Sequence, residues 1–393
     1  MSRISSRRNF LAAGLALPAA APIGRAATRS SDQGAPQQPA RLSSPPPAFT
    51  YRTLGKTGLK VTSLGFGCMI TSDGSVVERA ADLGITYFDT ARGYQGGNNE
   101  RMVGAALKRK RKDLVLSTKT EGRGKDDSLG QLDTSLKELG TDYVDIWYLH
   151  GKTSPSMVTD ELMEALAVAK KSGKARFVGV STHGGQQDLM PWLAKNPAID
   201  VILTTYNFTM QPFMNSVIEE AVRAGKGVVA MKVMAGGTRR GRGGSGNAER
   251  LSRPGALASA LKWVLRNPNV STTVPSMTDM DQLEDNLRAM SQPYGDADEK
   301  LLAAHLRDIA PDYCRMCGAC DGQCRQNLPV ADVLRFLTYA DGYGQFTLGR
   351  ERYLELHPSH QAARCACCPG CTVDCPYGVR VAERMSRAQE MFA

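Results

Sequence analysis

The chain has 393 residues, 42% of them hydrophobic and 22% charged, with a formal charge of +10. That composition belongs to a folded protein with a sizeable core rather than to a disordered chain, and no apolar run is long enough to span a bilayer. Six arginines (Arg3, Arg7, Arg8, Arg25, Arg29, Arg41) against Asp32 alone put much of the charge in residues 1–50. The remainder is spread over a body with neither a long basic helix nor interleaved basic and aromatic residues, which argues against a nucleic-acid partner.

The first 26 residues read as a signal peptide: a basic front, an apolar stretch from Phe10 to Ile23, then small residues with a cleavage site after Ala26. Ser6, Arg7, Arg8, Asn9, Phe10 and Leu11 fit the S-R-R-x-F-L pattern of twin-arginine leaders. The expectation is export in the folded state by the twin-arginine machinery, a periplasmic or extracytoplasmic address, and a mature chain without an integral membrane segment. Residues 27–49, rich in Ser, Pro, Gln and Gly, read as a flexible linker.

From Thr62 on, short runs rich in Val, Ile and aromatics alternate with helix-like stretches, as a parallel sheet requires. Eight strands are expected: Ser63 to Cys68, Tyr87 to Thr90, Leu114 to Thr118, Val144 to Leu149, Phe177 to Ser181, Val201 to Tyr206, Val228 to Lys232 and Thr272 to Pro275. Between them, helices show 3.6-residue spacing, as with Met163, Leu166 and Ala169 before the stop at Gly173. Residues 50–292 suit the length of a (β/α)8 TIM barrel, about 250 residues. An open doubly wound sheet is the alternative, but no G-x-G-x-x-G opens the first helix.

Chemistry in such a barrel gathers at the strand ends. Asp89 follows the second strand with Tyr94 in its loop, Lys119 ends the third, His150 the fourth, and Ser181, Thr182 and His183 the fifth. Singly, each has a structural explanation: an ion pair, a capping ring, a core histidine. The segments YFDTARGYQGGNNERMVGAAL, LVLSTKT, VDIWYLH and FVGVSTH together resemble the aldo/keto reductases. That resemblance implies a catalytic set of Tyr94, Lys119, Asp89 and His150, a small-molecule carbonyl or alcohol substrate, and a nicotinamide cofactor, NAD(P). The chemistry agrees with the name. A carbonyl taking hydride needs a proton donor, a lysine ammonium can stabilise the phenolate that Tyr94 would leave, and an aspartate keeps that lysine charged. His150 would orient the substrate oxygen.

By the same resemblance Ser181 and Thr182 lie near the nicotinamide. The glycine-rich loop after the seventh strand, with Lys232, Arg239 and Arg240, is either a flap over a pyrophosphate or a flexible surface loop, and Ser276, Glu284 and Asn286 in VPSMTDMDQLEDNL would meet the adenosine end. The sequence departs from the family at Leu203, where many members have Gln, and at Met231, where they stack an aromatic ring. It departs again at Gln282, where NADP-preferring members often carry Arg.

Residues 293–313 read as a helical connector and 314–393 as a cysteine-rich domain. Cys314-x2-Cys317-x2-Cys320-x3-Cys324 and Cys365-x2-Cys368-x2-Cys371-x3-Cys375-Pro376 both follow the bacterial ferredoxin spacing for 4Fe-4S clusters. In that pattern the fourth cysteine crosses to the other cluster, so Cys375 is expected to join the first run and Cys324 the second, with Cys367 left over. One cluster rather than two, zinc, and disulfides are the alternatives. Two function classes follow: a carbonyl oxidoreductase linked through its clusters to a redox protein partner, or a redox-sensing or electron-transfer module whose barrel binds nicotinamide without fast turnover.

Overall fold

The computed structural model describes residues 49–210, 212–236 and 253–393. The leader, nearly all of the linker, and Arg239 and Arg240 lie outside the described residues. Pro46–Ala393 is one compact unit.

All eight expected strands are present in one parallel sheet. They are β3 (Phe66–Gly67), β4 (Tyr87–Asp89), β5 (Val115–Thr120), β6 (Val144–Leu149), β7 (Ala175–Thr182), β8 (Val201–Thr205), β9 (Gly227–Met231) and β10 (Thr272–Thr273), each paired with its sequence neighbour. Parallel bridges Leu64 to Thr273 and Gly67 to Ser276 join the two ends and close the barrel. Its interior is packed side chain against side chain. Tyr87, Val115, Ile146, Tyr148, Val201, Leu203 and Val229 form one inner cluster, and the hydroxyls of Tyr87 and Tyr148 share a 2.9 Å hydrogen bond that satisfies both in the dry interior.

The sequence reading began one element too late. Strands β1 (Tyr51–Thr53) and β2 (Lys60–Thr62) form an antiparallel hairpin whose Leu54, Leu59 and Val61 plug the floor of the barrel. Its turn passes so close to β9 that a Cβ on Gly55, at φ 53°, would stand 2.3 Å from the Gly227 nitrogen, so only glycine fits.

The outer helices carry recognisable ends. In α1 (Gly74–Leu83) the Asp73 carboxylate accepts from the Ser75 amide, and Gly84 closes the helix at φ 111°. The helix Asp160–Lys171 is capped by Thr159, with acids in its first turn and lysines in its last, as the helix dipole favours. On it Leu166 and Ala169 are buried, and Met163 packs against the same core. No helix among the described residues is long and apolar enough to cross a membrane.

Beyond the barrel, helices Val330–Asp341, Phe346–Leu354 and Val381–Phe392 surround a second core of Val333, Leu337, Tyr353, Met385 and Phe392 among others. Asp341 ties two of them together, accepting from Arg384 and, through both oxygens, from Arg387.

Candidate active site

Strand β4 delivers Asp89 to the barrel mouth and β5 delivers Lys119 beside it, because neighbouring parallel strands in register end at the same level. The Lys119 ammonium is buried and donates to Asp89 Oδ2 at 2.6 Å, to the Thr90 carbonyl at 2.7 Å and to the Tyr94 hydroxyl at 3.3 Å. Asp89 is fixed in turn, its Oδ1 accepting from Ser117 at 2.7 Å. A buried cation with three oxygen acceptors meets the condition for burying charge. Burial, reinforced by the negative charge of Asp89, holds the Tyr94 phenol well above its usual pKa, so it stands protonated.

His150 follows β6, its ring edge-on to Tyr94 with centroids 5.9 Å apart. Its Nδ1 lies 3.0 Å from Glu121 Oε1, and burial is the chief cause of its lowered pKa. Glu121 also accepts two hydrogen bonds from Arg352, at 3.0 and 2.8 Å. Burial would raise the Glu121 carboxyl, but His150 and Arg352 outweigh it and hold the acid well below the usual carboxylate range. Gly93 makes room for this pair: a Cβ there would sit 2.9 Å from Arg352 Nη2. A neutral imidazole carries one N–H donor and one acceptor nitrogen, and a carbonyl oxygen needs the donor.

These groups open onto a cavity of about 1000 Å³. One side is barrel: Gly67, Asp89, Tyr94, His150, His183 and Met231, running to Ser276, Thr278 and Gln282. The other comes from the cysteine-rich region: Arg335, Tyr339, Tyr343, Phe346 and Arg352. Lys232 lines the cavity at φ 56°, a left-handed conformation rare for a side-chain-bearing residue. Its ammonium lies over the rings of Tyr339 and Tyr343, 4.7 and 5.0 Å from their centroids. Tyr339 stacks on Tyr343 and accepts from Arg335 at 3.0 Å. Burial pushes its phenol up, yet the charges of Lys232 and Arg335 prevail and bring it down to about 8.

The remaining expected cofactor residues are dispersed. Ser276 lines the cavity. Ser181 and Thr182 are buried with their hydroxyls on the backbone, Ser181 accepting from the Gly151 amide and Thr182 donating to the Gly184 carbonyl. Glu284 is exposed on the helix Met280–Met290, and Asn286 is buried on it. Glu121, Arg335, Tyr339 and Arg352 were not singled out from the sequence. Glu121 could have been, two residues beyond Lys119. The other three belong to no motif and come from more than two hundred positions downstream.

None of the ten cysteines is in a disulfide. Burial raises Cys314 to about 12, and the thiols acting on it are Cys320, Cys317 and Cys375; the same four line one small pocket. Burial raises Cys365 to about 11, and its thiol neighbours are Cys324, Cys368 and Cys371. Among the described residues no three His, Cys, Asp or Glu side chains are grouped so as to hold a metal ion.

Residues 72–256 match the profile of the aldo/keto reductase family. The uncharacterized oxidoreductase YqkF of Bacillus subtilis is 36% identical over 148 residues, 33% of this chain, which spans about half (48%) of that relative. L-galactose dehydrogenase of Arabidopsis thaliana is 30% identical over 290 residues, covering 61% of this chain and 88% of that protein. The chain belongs to the aldo/keto reductase family. Among solved structures, the holo form of aldo-keto reductase AKR11C1 from Bacillus halodurans superposes with a TM-score of 0.54 at 28% identity, covering 66% of this chain and 96% of that one. This aldo/keto reductase is therefore an oxidoreductase, and its cysteine-rich region lies beyond the residues matched to the family profile.

Proposed function

We propose that this aldo/keto reductase interconverts a carbonyl and an alcohol with NAD(P) and works outside the cytoplasm after twin-arginine export. The observation that carries the reading is Lys119, held by Asp89 and reaching the hydroxyl of Tyr94 at the wall of a large cavity. When bound, the dinucleotide supplies or accepts the hydride. Tyr94 holds the proton that the nascent alkoxide takes up, and Lys119 offsets the phenolate that remains. Asp89 keeps Lys119 charged and aimed, and His150 orients the substrate oxygen from the opposite side. One observation favours the cofactor: the cavity, about 1000 Å³, is lined from Tyr94 to Ser276 and Gln282, although Met231 stands in its wall where the family stacks a ring. The test is a carbonyl screen of the purified protein with NADH and NADPH. Turnover lost in Tyr94→Phe supports the reading; no turnover in either would favour a sensing or electron-transfer module.

We further infer that the eight cysteines hold two 4Fe-4S clusters, Cys314, Cys317, Cys320 and Cys375 in one quartet and Cys324, Cys365, Cys368 and Cys371 in the other. The donor chemistry fits, with four thiols from two runs neighbouring one another in each quartet. A four-iron cube holds its ligand sulfurs farther apart than a single ion does, so it does not require three side chains converging on one point. Exchange with a redox protein partner would use these clusters one electron at a time, whereas hydride carries two. Anaerobic purification should yield about eight irons per chain and matching sulfide; zinc or no metal would remove electron transfer from the account.

A further inference from the structure

Lys232 is a half-buried ammonium whose partners are the Tyr339 hydroxyl and the Met69 sulfur, with no carboxylate among the described residues. Elsewhere in the cavity each acid already has a partner: Asp89 has Lys119, Glu121 has Arg352 and His150, Glu355 has Arg352, Asp332 has Arg335, Asp341 has Arg384 and Arg387, and Asp279 accepts from Gln282. Drawing a charge part-way out of water against a phenol rather than a carboxylate is costly, and Lys232 is held there on a strained backbone. Beside it, Arg335 spends one nitrogen on Asp332 and another on Tyr339, which leaves guanidinium donors free. Nδ1 of His183, on the same wall, is buried without a hydrogen-bond partner among the described residues.

These unspent donors belong to the reacting end of the cavity. The charge of Tyr339 acts on Tyr94, and those of Lys232, Arg335, Lys119 and His150 all act on His183. Lys232, expected from the sequence to cover the pyrophosphate, is here given to the substrate; Ser276, Thr278 and Gln282 of the adenosine segment line the same cavity.

We infer that the substrate is a carbonyl compound bearing an oxyanion group, a carboxylate or phosphate, which Lys232 and Arg335 grip while Tyr94 and His150 meet its carbonyl. The inference rests on the carbonyl–alcohol reading. It makes the cysteine-rich region a supplier of substrate specificity, with Arg335 as the specificity residue and Tyr339 as the residue that positions it. Charge-assisted hydrogen bonds recognise the anion, and Arg335 offers them in the planar geometry that carboxylates and phosphates accept.

The test compares succinic semialdehyde with its methyl ester, which keeps the aldehyde and removes the charge. The wild-type protein should favour the acid by roughly ten- to a hundredfold in kcat/KM, mostly through KM, as expected for a charge-assisted contact. Arg335→Met should abolish the preference while leaving the ester and the dinucleotide affinity unchanged. Equal handling of acid and ester by the wild-type protein overturns the inference. So does an Arg335→Met variant that loses dinucleotide affinity instead, for then the anion is the cofactor's pyrophosphate. Calorimetry with succinate and dimethyl succinate decides the matter even if neither aldehyde is turned over, a result that would sink the carbonyl–alcohol reading alone. Binding of succinate only, weakened about tenfold in Arg335→Met, supports the anion site; equal or absent binding overturns it. Tyr339→Phe, which keeps the ring and drops the acceptor, serves if Arg335→Met does not fold, and should erode the same preference.

Discussion

Tyr94, Lys119 and Asp89 form a chain in which each group sets the state of the next, so single changes should have unequal costs. Lys119→Met should leave substrate and dinucleotide binding nearly intact and lower kcat by about 10²- to 10⁴-fold, the usual worth of a positioned proton-transfer group; steady-state and binding measurements together separate the two effects. Glu121→Gln should act more gently. His150 keeps a neutral acceptor in place of a carboxylate, Arg352 loses its ion pair, and kcat/KM should fall by up to about a hundredfold through misorientation. Tyr339 offers a spectroscopic handle. Its pKa of about 8 in the folded protein lies below the ordinary phenol value of 10, so the folded state releases that proton first. The stabilisation is fully present above pH 10 and is lost as pH falls through 8. A tyrosinate absorbance change centred near pH 8 and missing in Tyr339→Phe would show it, and a bound carboxylate should move that midpoint upward.

At the scale of elements, the helices are held to the barrel by close backbone approaches as well as by apolar faces. The helix Asn98–Leu107 meets the helix Lys125–Leu139 at Gly104, where an added Cβ would stand 2.3 Å from the Leu139 carbonyl oxygen. Gly104→Ala should therefore destabilise the fold by about 1–3 kcal/mol, the cost of forcing atoms into a filled contact, read as a lower urea midpoint with unchanged slope. Apolar periodicity and turn residues are enough to locate all eight barrel strands. The floor hairpin escapes that logic because its strands are three residues long and their partner is each other. Leu54 and Val61 carry no periodic signal of their own until the barrel above them supplies a surface to bury against.

In the whole molecule, the cysteine-rich region stands over the barrel mouth and contributes one side of the cavity wall, with Arg352 to Glu121 as one of its fastenings. If the eight cysteines hold clusters, removing iron with a chelator should loosen residues 314–393 in hydrogen exchange and weaken carboxylate binding, while the eight-stranded core stays protected. The barrel was legible from residue order alone. The twin-arginine pattern, the strand and helix alternation and the doubled cysteine spacing are local signals, each decided by residues a few positions apart. The same holds for Asp89, Tyr94, Lys119 and His150, because in a parallel barrel the ends of consecutive strands become neighbours at one rim, so order in sequence translates into proximity. No such rule links Glu121 to Arg352, or Lys232 to Tyr339 and Arg335. Those contacts depend on where one domain settles on another, and that is determined by the matching of two surfaces, which only the folded structure brings face to face.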